Sequence, residues 1–285
     1  MTVKIVTDSL SDITSDMAQE LGITVVPVYV RFGEEVYRDR IEITTDEFYY
    51  RLTHDATWPT TTQPTPHDFV GVYNKLAEEN DEILVVTLSS KLSGTYESAL
   101  HAKSLVEKEC RIEVIDSLTV VMGLGLIVIS AAKAVQAGAN LDEVADLVHR
   151  AMSRSHPVMF FDTLKYLAKG GRIGKAQGLL GSLLSVKPIL TIRDGEVFPL
   201  TRVRSKTVGM DYLYNFVAGF SNIEELAVEH ATTPDEADKL VERLSSFFPK
   251  ERIYRSTVSP VIGTYAGPNV LSVTVLEAEK KANDS

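Results

Sequence analysis

The chain has 285 residues, 44% hydrophobic and 24% charged, a composition that supports a sizeable core in one large or two modest domains. A formal net charge of −10 argues against general nucleic-acid binding. The single cysteine, Cys110, excludes an internal disulfide and a cysteine-rich zinc site, so a reduced, cytoplasmic setting is expected.

The N-terminal MTVKIVTDS runs straight into a strand-like segment, Lys4–Thr7, without the apolar core of a signal peptide. Further strand-like runs follow at Thr24–Val30, Ile83–Thr87 and Ile112–Asp116. Between them, Thr44 with Glu47 makes a capping-box pattern, and Thr65-Pro66 opens a helix to Glu79. A helix-like segment starts near Tyr96, and Asn140 with Glu143 opens another that runs to about Ser153. The apolar stretch Val120–Val135 is interrupted by Gly123, Gly125, Ser130 and Lys133, and reads as a buried core helix. Strands alternating with helices predict a three-layer α/β domain with a parallel sheet over residues 1–155.

The second half reads differently. His156–Asp162 looks like a strand and leads into the glycine-rich KGGRIGKAQGLLGSLL. PILTI and EVFPL flank Arg193-Asp194-Gly195, a hairpin signal. A helix over Lys206–Phe216, the strand LAVEHA, a helix over Pro234–Phe247 and the strands IYRSTV and VLSVTVL follow, with KKANDS as a frayed tail. These elements predict a smaller two-layer α+β domain with a mixed sheet over residues 156–285, the boundary falling near Ser153–Pro157.

Three hydroxyl-rich loops are expected at the C-terminal ends of the parallel strands, where ligands bind in such sheets. They are Thr7-Asp8-Ser9, Pro59–Thr65, and the serine-rich turn Leu88–Ala99, which contains Ser93. Two of them enter helix N-termini, whose free amides favour an anion. N-capping explains any one loop; three converging favour a small anion site. Ser93 could attack a substrate, grip a phosphate or hold a carboxylate. It lies in K-L-S-G-T and not in a G-x-S-x-G elbow, and none of the six histidines sits in a base-presenting motif. KGGRIGKA lacks phosphate-loop spacing, and neither H-E-x-x-H nor an EF-hand pattern occurs, so no metal or cofactor is expected. Between Lys165 and Lys206 nine basic residues face two acidic ones, a basic island that reads as a local site for an anionic partner or as a solvated face.

TDSLSDI (7–13), TTQPT (61–65), SSKLSGTYESA (89–99), Ile115-Asp116-Ser117, LKYLAKGGRIGKA (164–176) and VKPIL (186–190) together resemble the DegV family over essentially the whole chain. The resemblance implies a fatty-acid-binding protein and not an enzyme. It would present a long-chain acid such as palmitate to a separate fatty acid kinase subunit. It would then carry the acyl phosphate toward phospholipid synthesis, with transient membrane or acyltransferase contact and no nucleic acid. Residue by residue, it implies that Thr61 and Ser93 hold the carboxylate, with Thr62, Gly94, Thr95 and Tyr265 as further candidates. It also implies that Arg172 and Arg202 face the head group or the kinase; Lys187, Arg204 and Lys206 are added from the charge count. Three departures stand out. TTQPT replaces the commoner T-S-Q-P-S, Tyr265 occupies a position where histidine is often found, and Asn269 stands where the family pattern has a glycine. A tyrosine donates one hydrogen bond but is no cation at neutral pH.

Burial of an acyl chain contributes ~0.8 kcal/mol per methylene, so a few hydroxyls suffice to orient the head group. Leu179–Leu184 and Val120–Ile129 are candidate chain-lining segments, or ordinary core. The competing readings are a hydrolase or phosphotransferase using Ser93 or Asp8, and a nucleic-acid binder using the basic island.

Overall fold

The computed structural model describes residues 3–80, 82–182 and 186–279; the tail KKANDS, and Leu183 and Leu184 of the proposed lining, lie outside them. Strands β1 (Val3–Asp8), β2 (Ile23–Val26), β6 (Glu82–Thr87) and β7 (Arg111–Asp116) form a wholly parallel sheet in the order β2-β1-β6-β7. Their apolar runs follow from cover on both faces. Ile83 and Val85 pack with residues of α3 (Pro66–Leu76) and α4 (Thr95–Lys103), while Leu84 and Val86 turn toward α5 (Met122–Gln136). Helices α1 (Ser15–Leu21) and α6 (Leu141–Met152) share the α5 side. This is the expected three-layer α/β arrangement. Of the expected Thr44–Glu47 capping box only one half forms, Thr44 accepting from the Glu47 amide at the start of α2 (Thr45–His54); full boxes form at Thr65 with Asp68 and at Asn140 with Glu143.

The expected strand Thr24–Val30 is instead two strands in two sheets. Pro27 offers no backbone donor, so β2 stops at Val26. The chain resumes as β3 (Tyr29–Phe32) in a small antiparallel sheet, β4-β3-β5, with β4 (Glu35–Arg38) and β5 (Thr60–Thr62). The loop expected around Thr61 is therefore a short strand, with Thr61 paired to Val30.

A separate mixed sheet runs β10-β9-β8-β13-β11-β12. Its strands are β8 (Ser155–Phe160), β9 (Lys187–Arg193), β10 (Glu196–Val203), β11 (Ile223–His230), β12 (Ile253–Thr257) and β13 (Leu271–Glu277). Among the described strands of this sheet only β11 and β12 pair in parallel. The β9–β10 hairpin turns at Asp194 and Gly195, both at positive φ (51° and 80°), the backbone that a two-residue hairpin loop demands. Helices α8 (Lys206–Ala218) and α9 (Pro234–Leu244) cover one face. The other face lies on α5, whose residues Met122–Ala132 are all buried. A helix enclosed by two sheets must be apolar all round, which explains the apolar stretch without a membrane. No helix among the described residues is long and apolar enough to cross one. Two short helices, α7 (Lys165–Gly170) and α10 (Pro260–Ala266), sit beside the site described next.

Candidate functional site

A cavity of about 290 Å³ opens between the C-terminal ends of the parallel strands and the mixed sheet. Fourteen of the twenty described residues that line it are apolar, among them Leu10, Leu88, Val121, Met159, Phe161 and Val261. The other six are Thr61, Thr62, Gln63, Ser93, Arg172 and Tyr265. Tyr265 touches both Thr61 and Arg172, Thr61, Thr62 and Gln63 are consecutive, and Gln63 reaches the carbonyl of Gly94, the neighbour of Ser93, so the cavity has one polar end and apolar walls. The volume exceeds by an order of magnitude the ~10–15 Å³ that a single water needs.

Each polar residue is placed by local structure. Strand β5 brings Thr61 to α10, where its hydroxyl is hydrogen-bonded to that of Tyr265. The Arg172 guanidinium lies 5.1 Å from the centroid of the Tyr265 ring. It donates to the carbonyls of Leu92 (3.3 Å) and Gly170 (2.9 Å), and no carboxylate pairs with it among the described residues. Gly170 is needed because a Cβ there would come within 2.3 Å of the edge of the Tyr265 ring. Ser93 Oγ lies 2.9 Å from Thr95 Oγ1. Gln63 Nε2 donates to the Gly94 carbonyl (3.1 Å) and to Ser98 Oγ (3.3 Å). Any Cβ at Gly94 would come closer than 3.0 Å to the Gln63 amide, so glycine lets the two loops meet.

The three hydroxyl-rich loops do not contribute equally. The loops at Thr61–Gln63 and Leu88–Ser93 reach the cavity. The N-terminus of α3 is closed by its own capping box, whereas that of α4 has no side-chain cap. In the first loop, Asp8 is fully buried and both its oxygens accept backbone amides, from Leu10 (3.0 Å) and Leu88 (2.8 Å). A nucleophile needs an oxygen open to substrate, and Asp8 has none. Among the described residues no histidine lines the cavity, so none of them offers Ser93 an imidazole base there.

The remaining predicted residues lie elsewhere. Gly94 and Thr95 stand just behind the lining, as neighbours of Gln63 and Ser93. Lys187, Arg202, Arg204 and Lys206 do not line the cavity. Lys187 pairs with Asp162 (2.9 Å) and Lys206 with Glu236 (2.7 Å), while Arg202 and Arg204 are exposed near the end of β10. Lys187 is five residues along β9 from the lining Ile192, roughly 16 Å at strand rise. Thus Arg172 alone of the basic island reaches the polar end. Of the proposed lining segments, Val120 and Val121 contribute, whereas the residues that follow them in α5 are core. Gln63 was missed as a site residue, although it stands inside the TTQPT motif that the sequence singles out.

A family model described as an uncharacterised protein of the DegV family matches residues 2–278. A DegV domain-containing protein of Caldanaerobacter subterraneus is 37% identical over 275 residues, covering 95% of this chain and 97% of the relative. Among solved structures, a DegV family protein of Thermus thermophilus, described by its fatty acid binding, superposes with a TM-score of 0.90 at 33% identity, covering 98% of this chain and 100% of that one. DegV of Bacillus subtilis, described as a fatty acid binding protein, gives 0.89 at 30% identity, with coverage of 98% and 100%. The chain belongs to the DegV family.

Proposed function

We propose that this protein binds a long-chain fatty acid, with the acyl chain in the apolar cavity and the carboxylate at its polar end. The observation that carries this reading is the division of the lining: fourteen apolar side chains around one cluster of hydroxyls, an amide and an unpaired guanidinium. That is the shape of a long amphiphile with a single anionic head. Thr61 and Ser93 are proposed to accept the carboxylate as hydrogen-bond donors, with Tyr265 and Thr62 beside them and Arg172 supplying the positive charge. Two solved relatives described as fatty acid binding, with nearly complete overlap, support it.

The finer reading follows from the DegV resemblance. The protein acts in the cytoplasm as a carrier, presents the bound acid to a fatty acid kinase subunit, and hands the acyl phosphate onward to an acyltransferase or membrane. Arg172 lies at the polar end, where a phosphate would be added, so its charge suits the product even better than the substrate. Arg202, Arg204 and Lys187 would serve a kinase surface and not the head group. Residues 1–155 and 156–285 are proposed as the two domains enclosing the ligand.

Titration of lipid-free protein with fatty acids of rising length tests the reading. Affinity should strengthen by ~0.8 kcal/mol per added methylene until the cavity is full, then level off. Ser93→Ala should lower affinity about 10- to 100-fold at every length, the ~1.5–3 kcal/mol of a hydrogen bond to a charged group, and leave that slope unchanged. Loss of an ester- or phosphate-hydrolysing activity in Ser93→Ala would instead identify Ser93 as a nucleophile.

A further inference from the structure

Four carboxyl groups are buried together behind the cavity wall. Asp8 ends β1, Asp12 follows the short turn after it, Asp39 follows β4, and Glu229 comes from β11; all are at most 1% exposed. Each holds backbone that shapes the cavity. Asp8 holds the amides of the lining residues Leu10 and Leu88. Asp39 accepts from Ser9 Oγ (2.7 Å), which in turn accepts from the amide of Val28, another lining residue (3.1 Å). Asp12 Oδ1 accepts the Ser259 amide (3.1 Å) at the start of α10, the helix that carries Val261, Ile262 and Tyr265. Glu229 Oε1 accepts the Met122 amide (3.2 Å), and Oε2 accepts from Ser272 Oγ (3.2 Å).

The residue before Met122 shows why such restraint is needed. Val121 lines the cavity at φ 55°, a conformation that a β-branched side chain strongly disfavours. Its own amide donates to Leu10 O (2.8 Å), and the next amide is fixed by Glu229. A strained residue persists only where its surroundings over-determine it.

The charges do not balance. Arg40 Nη2 pairs with Asp12 Oδ1 (3.1 Å) and also donates to Thr257 O. Tyr49 on α2 faces the cluster with its hydroxyl given to Val258 O (3.1 Å). Four buried carboxylates beside one guanidinium would be prohibitively costly, so protons must remain among them. The carboxyls of Asp12 and Glu229 face each other, and Asp12 Oδ2 has no other partner. Arg40 and the Ser259 amide favour the anion on Asp12, so Glu229 carries the proton between them. Burial pushes Glu229 far above the carboxylate range and lifts Asp8 and Asp39 to about 7.

We propose that this protonated carboxyl network positions the cavity wall, and that loss of its protons to solvent loosens the wall and weakens hold on the acyl chain. The proposal rests on the fatty-acid reading above and adds a pH dependence to it. Asp8, Asp12, Asp39 and Glu229 are positioning residues, since none touches the cavity space.

The test uses the purified full chain and two fluorescent probes, an anthroyloxy-labelled fatty acid and the corresponding alcohol, which has no titrating head group. Between pH 5.5 and 8.5 the dissociation constant of both should rise about tenfold, an ordinary size for coupling between two sites. Asp39→Asn, neutral throughout, should reduce that rise to about threefold or less, and Glu229→Gln should bind as the parent does at pH 5.5. A flat parent profile with the alcohol overturns the proposal, as does an Asp39→Asn curve matching the parent or a large loss in Glu229→Gln at pH 5.5. If neither probe binds at any pH, the fatty-acid reading itself fails. The melting temperature then decides on the network: it should fall over the same pH range in the parent and fall less in Asp39→Asn, and equal slopes would refute it.

Discussion

An Ile262→Trp variant should bind a long-chain fatty acid about a thousandfold more weakly than the parent protein while still folding. Ile262 is partly exposed and lines the cavity from α10, so an added indole can enter open space without displacing packed core. Excluding about five methylenes costs ~4 kcal/mol at ~0.8 kcal/mol each, which is the thousandfold loss. Competition against a fluorescent fatty acid measures it, and a thermal melt confirms the fold. Unchanged affinity would mean that the acyl chain lies elsewhere. The effect should exceed that of Ser93→Ala, because chain burial and not head-group contact supplies most of the binding free energy.

The second large effect is on stability. Arg40→Met removes the cation paired with buried Asp12 and should destabilise the protein by ~3–5 kcal/mol at pH 8, the usual cost of leaving a buried charge alone. At pH 5.5 the loss should be smaller. Without Arg40, Asp12 titrates still further above its unfolded value, and a carboxyl raised in this way stabilises fully at low pH and loses that contribution as pH rises through its folded value. Asp8 and Asp39 behave with the same sign: raised by burial from 3.8 to about 7, their contribution is complete below 3.8 and disappears as pH rises through neutrality. Urea denaturation at the two pH values measures the difference, and equal losses would contradict a shared-proton cluster.

The N-terminal α/β layers were legible because period and capping agree: Thr65-Pro66 and Asn140 with Glu143 mark helix starts that form where they are read. The mixed sheet was legible through its hairpin, since Asp194-Gly195 supplies the two positive φ angles. The strand Thr24–Val30 was misread because its apolar content masked Pro27, which ends the pairing. Thr60–Thr62 looked like a loop because three threonines show no apolar alternation; their strand character comes from the partner β3.

The site was legible only in part, for a different reason. Thr61 and Tyr265 are 204 residues apart and meet through a hydroxyl pair that no local spacing announces. The motif resemblance named both, along with Ser93 and Arg172, but it gave no geometry. The charge count grouped nine basic residues and could not tell Arg172 from Lys187, which the fold gives to Asp162. The carboxyl network was invisible for the same reason as the Thr61–Tyr265 pair. Asp12 and Glu229 face each other from distant points of the chain, and Asp8 alone drew notice, as a nucleophile its burial forbids.

The most direct test of fatty-acid binding is mass spectrometry of an organic extract of the natively purified protein. One long-chain fatty acid per protein chain, absent from an extract of Ile262→Trp prepared in the same way, is the expected result. Protein shown to be folded but carrying only trace lipid, and taking up none when fatty acid is added, would contradict it.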